Sequence, residues 1–286
     1  MSYLDAQNLR YRFVNKAFAE MFGFSPEYIR GKHVSEILGA EAYAQALPSI
    51  DRARAGERIV FDHVRLVRGE PRWFSISYVP ECDDHGSVQN LVVLSVDITE
   101  RKQAEADLQA REHRAQRQRS ALASLAVNDA IGSGDVNAAT RILAETASSV
   151  FQVERSSVWV LSADGTELVC LALFEAKSGA HSEGQVLRAE DYPQYFQAIR
   201  HESRIAAEDA RTDPRTCEFA PHYLMPLGIT SMLDAGFSLD GRLAGVVCLE
   251  HVGEKRRWHS AEESFASTLA SLMAQAMVNA SRKRAE

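Results

Sequence analysis

Between Leu91 and Gln109 the chain reads LVVLSVDITERKQAEADLQ, and its chemistry changes at a single point. Up to Ile98 the residues are mostly apolar and β-branched, as in a buried strand. From Thr99 onward they are Glu, Arg, Lys, Gln and Ala, as in a solvated helix, and no Gly or Pro lies between. A strand that enters a helix without turn residues passes displacement of its sheet to that helix. The join is therefore expected to be a mechanical output. Asp97 with Glu100 can cap the new helix, and Thr99 is the rival cap.

The chain around this join has 286 residues, enough for two hydrophobic cores. Its net charge of −7 argues against generic binding to nucleic acid or anionic membrane, which needs a basic surface. Cys82, Cys170, Cys217 and Cys248 are far apart and form no paired spacing, which excludes a disulfide framework or zinc site of familiar pattern. No apolar run reaches the length of a membrane span, and no signal peptide is seen. The expected location is the cytoplasm.

Residues 1–98 alternate short strands with short helices. SYLDAQNLRYRFVN reads as two strands around an Asp5–Asn8 turn. NKAFAEMFG reads as a helix, SPEYIRG as another turn of helix, and 40–55 as a longer amphipathic segment. Three strands follow: RIVFDHVRLV, RWFSISYVP and SVQNLVVLSVDI. In the middle one, Phe74, Ile76 and Tyr78 share a face, while Trp73, Ser75, Ser77 and Val79 share the other. Large apolar groups on both faces predict that a helix or a partner covers the second.

Residues 99–130 form the expected linker helix. A heptad can be written with Leu108, Ala115 and Leu122 at one core position and Ala104, Arg111, Gln118 and Leu125 at the other. A solvated spacer and a dimeric coiled coil both fit this pattern. Residues 131–286 then repeat the α/β style on a larger scale, with hairpins turning at Asp164–Gly165 and Asp240–Gly241. A closing helix shows a Ser260–Glu263 capping box and an inner stripe of Phe265, Leu269, Leu272 and Ala276. The pattern is still helical at the last residues, as expected for the input half of a longer protein. The fold class expected is α+β: two domains, each an antiparallel sheet flanked by helices, joined by a long helix.

The combination YRFVNKAFAEMFGFSPEYIRGKHV, RWFSISYVP and GSVQNLVVLSVDITERKQAE resembles the PAS sensor domain over residues 2–102. That resemblance implies a five-stranded sheet enclosing a small pocket, with the last strand feeding a signalling helix. The pieces EDYPQYF, DARTDPRT, YLMPLGITSMLDAGFSLDGRLAGVVCLEHVG, RRW and EESFA resemble a GAF domain over residues 118–281. GAF domains placed between PAS and output modules occur in bacterial signalling proteins, so the resemblance implies small-molecule binding or dimerisation. The parent would be a histidine kinase of a two-component system or a diguanylate cyclase.

Several cofactor chemistries lack their residues. Val34 stands where the flavin-adduct cysteine of light-sensing PAS relatives would lie, and 40–55 holds no axial histidine for haem. Asp191–Tyr192–Pro193 is similar to a phytochrome motif, yet Cys217 falls upstream of a bilin attachment point and His222 is out of register. A bilin photoreceptor is thus the least favoured reading, and the cofactor is left open. CDDHG reads as a turn rather than a metal site, and His113 as part of a solvated helix. With no phosphate loop, nucleophile elbow or zinc-protease motif, the chain is not expected to be an enzyme.

The resemblance and strand alternation together nominate Phe13, Asn15, Phe18, Tyr43, Phe61, Ile76, Tyr78 and Ser95 as ligand-binding residues of the first pocket. For the second they nominate Asp191, Tyr192, Tyr195, Phe196, Tyr223, Met232, Asp234 and His251. Asp97, Thr99, Leu108, Arg111, Gln118 and Leu122 are the candidate signal relay. The function expected is a cytoplasmic sensory module with an unknown small-molecule ligand, a homodimer through its linker and closing helices, and an output domain or response partner. The alternative is a ligand-free dimerisation scaffold. The segments are 1–98 for the sensor, 99–130 for the helix and 131–286 for the second domain with its output helix.

Overall fold

Asp5 makes the first turn of the chain. Its Oδ1 accepts the N–H groups of Gln7 at 2.8 Å and Asn8 at 3.1 Å, folding β1 (Ser2–Asp5) back onto β2 (Tyr11–Val14). These and the following elements come from a computed structural model that describes residues 1–67 and 69–285. Asn15 caps α1 (Lys16–Met21), Ser25 caps α2 (Pro26–Ile29), and His33 with Glu36 closes a capping box on α3 (Val34–Leu38). Then come α4 (Ala40–Arg54), β3 (Ile59–Val67), β4 (Glu70–Cys82) and β5 (Val88–Asp97). The five strands form one sheet in the order β2-β1-β5-β4-β3, with every pairing antiparallel.

The helices pack on one face of this sheet around Leu4, Phe18, Ile29, Ile50, Tyr78 and Leu91, as the alternation of Phe74, Ile76 and Tyr78 requires. On the opposite face Val60, Leu66 and Val96 are 59%, 69% and 57% exposed. Among the described residues no helix of this domain covers them. Trp73 on that face is met instead by the start of the helix that follows β5, where Lys102 lies over its ring.

The long helix α5 (Thr99–Ala126) leads to α6 (Asp129–Ser133) and α7 (Val136–Phe151). After these come β6 (Arg155–Leu161), β7 (Glu167–Glu175), β8 (Ala180–Ser182), β9 (Val186–Arg188), α8 (Pro193–Glu202) and β10 (Arg204–Ala207). Two helical turns, Cys217–Phe219 and Ala220–Leu224, precede β11 (Ile229–Leu239), β12 (Arg242–Val252) and α9 (Ser260–Ala285). The second sheet runs β10-β11-β12-β6-β7-β8, with β9 also paired to β7. The β11–β12 hairpin turns at Asp240 and Gly241, both at positive φ, which suits the Asp-Gly pair. The chain divides into two compact units, Met1–Arg111 and Glu112 onward.

In the second unit α7 and α9 bury Leu143, Phe151, Phe265, Leu269 and Met273 against Leu233, Ala235 and Phe237 of β11. Met273 is fully buried, whereas Leu272, expected in the inner stripe, is only partly so. The helix start is also held one residue earlier than the Ser260–Glu263 pair: Glu262 Oε2 accepts the His259 N–H at 3.0 Å, and Ser260 is the first helical residue. With these adjustments the expected fold class is the observed one.

Candidate functional site

Two cavities hold most of the nominated residues. The first, about 70 Å³, lies between the first sheet and its helices. Phe61 of β3, Ile76 of β4 and Ser95 of β5 form one cross-strand row of its floor, and Tyr78 with Val93 forms part of the next. Phe18 of α1 and Phe22 at its C-cap close it, with Val34, Leu38, Ala42, Gln45 and Ala46 from α3 and α4. Phe18, Phe61, Ile76, Tyr78 and Ser95 are thus brought together as expected.

Three others are not. Phe13 points outward and is 41% exposed, because a β-bulge between the Tyr3–Phe13 and Leu4–Tyr11 pairs breaks the alternation and leaves only Tyr11 facing the cavity. Asn15 is used as a helix cap, its Oδ1 accepting the Phe18 N–H at 3.1 Å. Tyr43 packs edge-on against His33 with ring centres 5.4 Å apart, outside the lining formed by its neighbours Ala42 and Ala46. The sequence reading missed Ser2, Tyr11, His63 and Arg65. Strand period would have found two of these, since His63 and Arg65 follow Phe61 at alternate positions and must share its face.

The wall of this cavity continues directly into α5. Val93 and Ser95 line it, and Asp97 follows on the same face. Asp97 Oδ1 accepts the Thr99 N–H at 2.9 Å, so Asp97 serves the first turn. Bonds to Thr99 and Arg72 hold its carboxyl below the usual range. Thr99 Oγ1 instead accepts the N–H of Trp73 at 2.9 Å, while Ile98 donates to the Trp73 carbonyl at 2.8 Å. Lys102 completes the clamp, 2.7 Å from Asp62 of β3 and stacked over the Trp73 ring. Further along α5, Leu108 is 58% exposed, Arg111 is exposed and Gln118 is half-buried. Leu122 and Leu125 pack into the core of the second unit, so the end of the heptad seam is already occupied.

The second cavity, about 60 Å³, lies on the face of the larger sheet away from α7 and α9. Its floor is Trp159 of β6, Met232 of β11, and Cys248 with Glu250 of β12; its roof is Leu187, Tyr192, Tyr195, Phe219 and Tyr223. Pro193 starts α8, and Glu218 Oε2 accepts the N–H of Tyr195 at 3.1 Å, which fixes the helix that carries Tyr195. The Phe219 ring then lies 4.5 Å from Tyr192 and 4.9 Å from Tyr195, centre to centre.

Behind the aromatic groups are two buried carboxyls. Tyr195 donates to Asp234 Oδ2 at 2.8 Å, and Asp234 Oδ1 is buried without a partner. Complete burial pushes the Asp234 carboxyl up to about 7. Glu250 is raised by burial too, offset by Arg155 at 2.9 Å and by the Tyr223 hydroxyl, which donates at 2.8 Å. Burial pushes the thiol of Cys170 up to about 12 and raises that of Cys248 well above its ordinary value, away from the nucleophilic thiolate. The arrangement is suited to holding a small molecule by shape and a few hydrogen bonds.

A family profile described as PAS fold matches residues 3–103, and one described as GAF domain matches residues 135–277. The chain belongs to the PAS and GAF families. Comparison with curated proteins gave no match. Among solved structures, the GAF domain of a phosphoenolpyruvate-protein phosphotransferase from Coxiella burnetii is 17% identical with a TM-score of 0.47, covering 60% of this chain and 97% of that one. The phytochrome photosensory core module of Stigmatella aurantiaca is 13% identical with a TM-score of 0.47, covering 97% of this chain and 56% of that one.

In the GAF cavity Tyr192, Tyr195, Tyr223 and Met232 line the space, and Asp234 stands behind Tyr195. Phe196 is in the adjacent core, Asp191 is exposed, and His251 points to the other face of β12, 3.0 Å from Glu154. Alternation explains the last: Glu250 faces the cavity, so His251 cannot. Cys217 and His222 are outside the lining. Trp159, Phe219 and Glu250 were missed, although Glu250 is the cross-strand partner of Met232 and follows from the hairpin register.

Proposed function

We propose that this PAS–GAF chain is a sensory relay. A small molecule enters the PAS cavity, and its occupancy biases the helix that leaves β5. The observation that carries this reading is continuity: the strand that walls the cavity at Val93 and Ser95 enters α5 four residues later, under the clamp of Trp73, Thr99 and Lys102. In this reading residues 1–98 sense, 99–130 relay, and 131–286 add a second cavity and an output helix. The chain works without catalysis of its own in the cytoplasm, as a homodimer, and acts on a kinase or cyclase output domain or on a partner. A ligand moves such a balance only by its differential affinity; a few-fold shift needs about 1–2 kcal/mol. Among the described residues no helix is long and apolar enough to cross a membrane, which fits a stimulus met in solution.

Native mass spectrometry of the gently purified chain, followed by hydrogen exchange of residues 99–107 with and without the retained molecule, tests this. A bound molecule whose removal changes exchange several-fold supports the relay. Unchanged exchange rejects it. The exposed row Val60, Leu66 and Val96 favours a second reading, a ligand-free assembly scaffold, which an empty dimer in the same spectrum would support.

A further inference from the structure

The PAS cavity has a charge without an answer. Arg65 lies along its lining, its guanidinium carbon 4.5 Å from the centre of the Phe22 ring and Nη1 3.7 Å from Met21 Sδ. Among the described residues no Asp or Glu lines the cavity and no carboxylate pairs with Arg65. Its cross-strand neighbour Arg72 differs: Asp97 answers that charge at 3.2 Å. Stacking on Phe22 covers one face of the Arg65 guanidinium but leaves in-plane N–H donors for a planar acceptor.

The other polar groups of the lining are donors, or can become so. Ser2 is 1% exposed and its Oγ has no hydrogen-bond partner. The hydroxyls of Tyr11 and Tyr78, the amide of Gln45, the hydroxyl of Ser95 and the ring of His63 complete the set. Burial and the nearby Arg65 both lower the His63 pKa, which keeps that ring neutral at pH 7. The remaining lining, from Leu4 and Phe18 to Phe61, Ile76 and Val93, is apolar.

We infer that the PAS cavity binds a small organic anion, with its carboxylate on Arg65 and an apolar body against Phe61 and Ile76. A cavity of 70 Å³ has room for about five waters, hence a ligand of about that many heavy atoms or slightly more. One guanidinium in a mostly apolar wall matches a monoanionic carboxylate better than a doubly charged phosphate. This assignment rests on the ligand-sensing reading above and names the ligand class for the same cavity.

The test is calorimetric titration of the full chain with propionate, butyrate and isovalerate, each beside its primary amide and its primary amine, with inorganic phosphate as a separate arm. The acids are expected to bind about tenfold or more tightly than the amides, the range of a charge-assisted bond. Arg65→Gln should abolish that preference while leaving the weak amide affinity. Arg65→Lys, which keeps the charge, should retain part of it. Amides or amines binding as well as the acids, tighter binding of phosphate, or no binding of any acid overturns the proposal. Preference for an amide or amine leaves the relay reading standing. Acid binding without altered exchange in residues 99–107 rejects the relay and leaves the anion site.

Discussion

Trp73 holds Thr99 through its backbone: the Trp73 N–H donates to Thr99 Oγ1 at 2.9 Å, and the Trp73 carbonyl takes the preceding Ile98 N–H at 2.8 Å. A strand in the middle of the PAS fold thereby fixes the first turn of α5, and Asp97 supports it from the other side.

Thr99→Val keeps the shape of that side chain and removes the acceptor. The Trp73 N–H is exposed, so water replaces the bond and the cost to the domain is about 0.5–1.5 kcal/mol. The local effect should be larger in kind: amide exchange at residues 100–103 quickens several-fold. Thr99 is also the first cause of the lowered Asp97 pKa, so in the variant that carboxyl should titrate closer to the ordinary range by carbon-detected NMR. Unchanged exchange at residues 100–103 would rule out the clamp.

Asp234 gives the GAF domain a pH dependence. Its folded-state pKa, about 7, lies above the ordinary value of 3.8, so between those limits the folded chain binds more protons than the unfolded one. Stability contributed at this residue is therefore greatest below pH 4, declines as pH rises and levels off above about pH 7. The difference in unfolding free energy between the wild type and Asp234→Asn should follow that curve, measured by urea titration from pH 4.5 to 8. Glu250, whose raised pKa acts in the same direction, is coupled to Asp234, so the difference curve also carries their mutual repulsion. A flat difference curve would contradict the assignment.

Gly134 controls how α9 lies against α6. It sits at φ +72°, and a Cβ there would overlap the backbone of Ala280. Gly134→Ala should cost about 1–2 kcal/mol for the left-handed conformation and about 1–3 kcal/mol for overpacking. Gly132, with open space around its Cα, is the internal control: Gly132→Ala should be neutral or stabilising by up to about 1 kcal/mol. Urea midpoints of the two variants check this, and equal shifts would refute it.

The exposed part of α5 is where helix pairing can be engineered. Arg111→Leu with Gln118→Leu gives two polar seam positions apolar side chains, and a parallel helix pair should then gain dimer affinity about tenfold or more by sedimentation. Unchanged self-association would place the dimer contact elsewhere, with the open sheet face at Val60, Leu66 and Val96 next to be tried.

The sequence alone settled what local physics can settle. Alternation placed Phe61, Ile76, Tyr78 and Ser95 inward, turn residues placed the Asp5 and Asp240–Gly241 reversals, and the composition change at Thr99 marked the start of α5. Period and propensity act between near neighbours, so one strand at a time suffices to read them. Which of two inward groups reaches a cavity is decided by what the opposite layer brings. Tyr43 is displaced by Ala42 and Ala46, and Leu122 and Leu125 serve the GAF core rather than a seam. The unanswered charge of Arg65 belongs to the same class, because a missing counter-ion shows only after every neighbouring element has folded around the site.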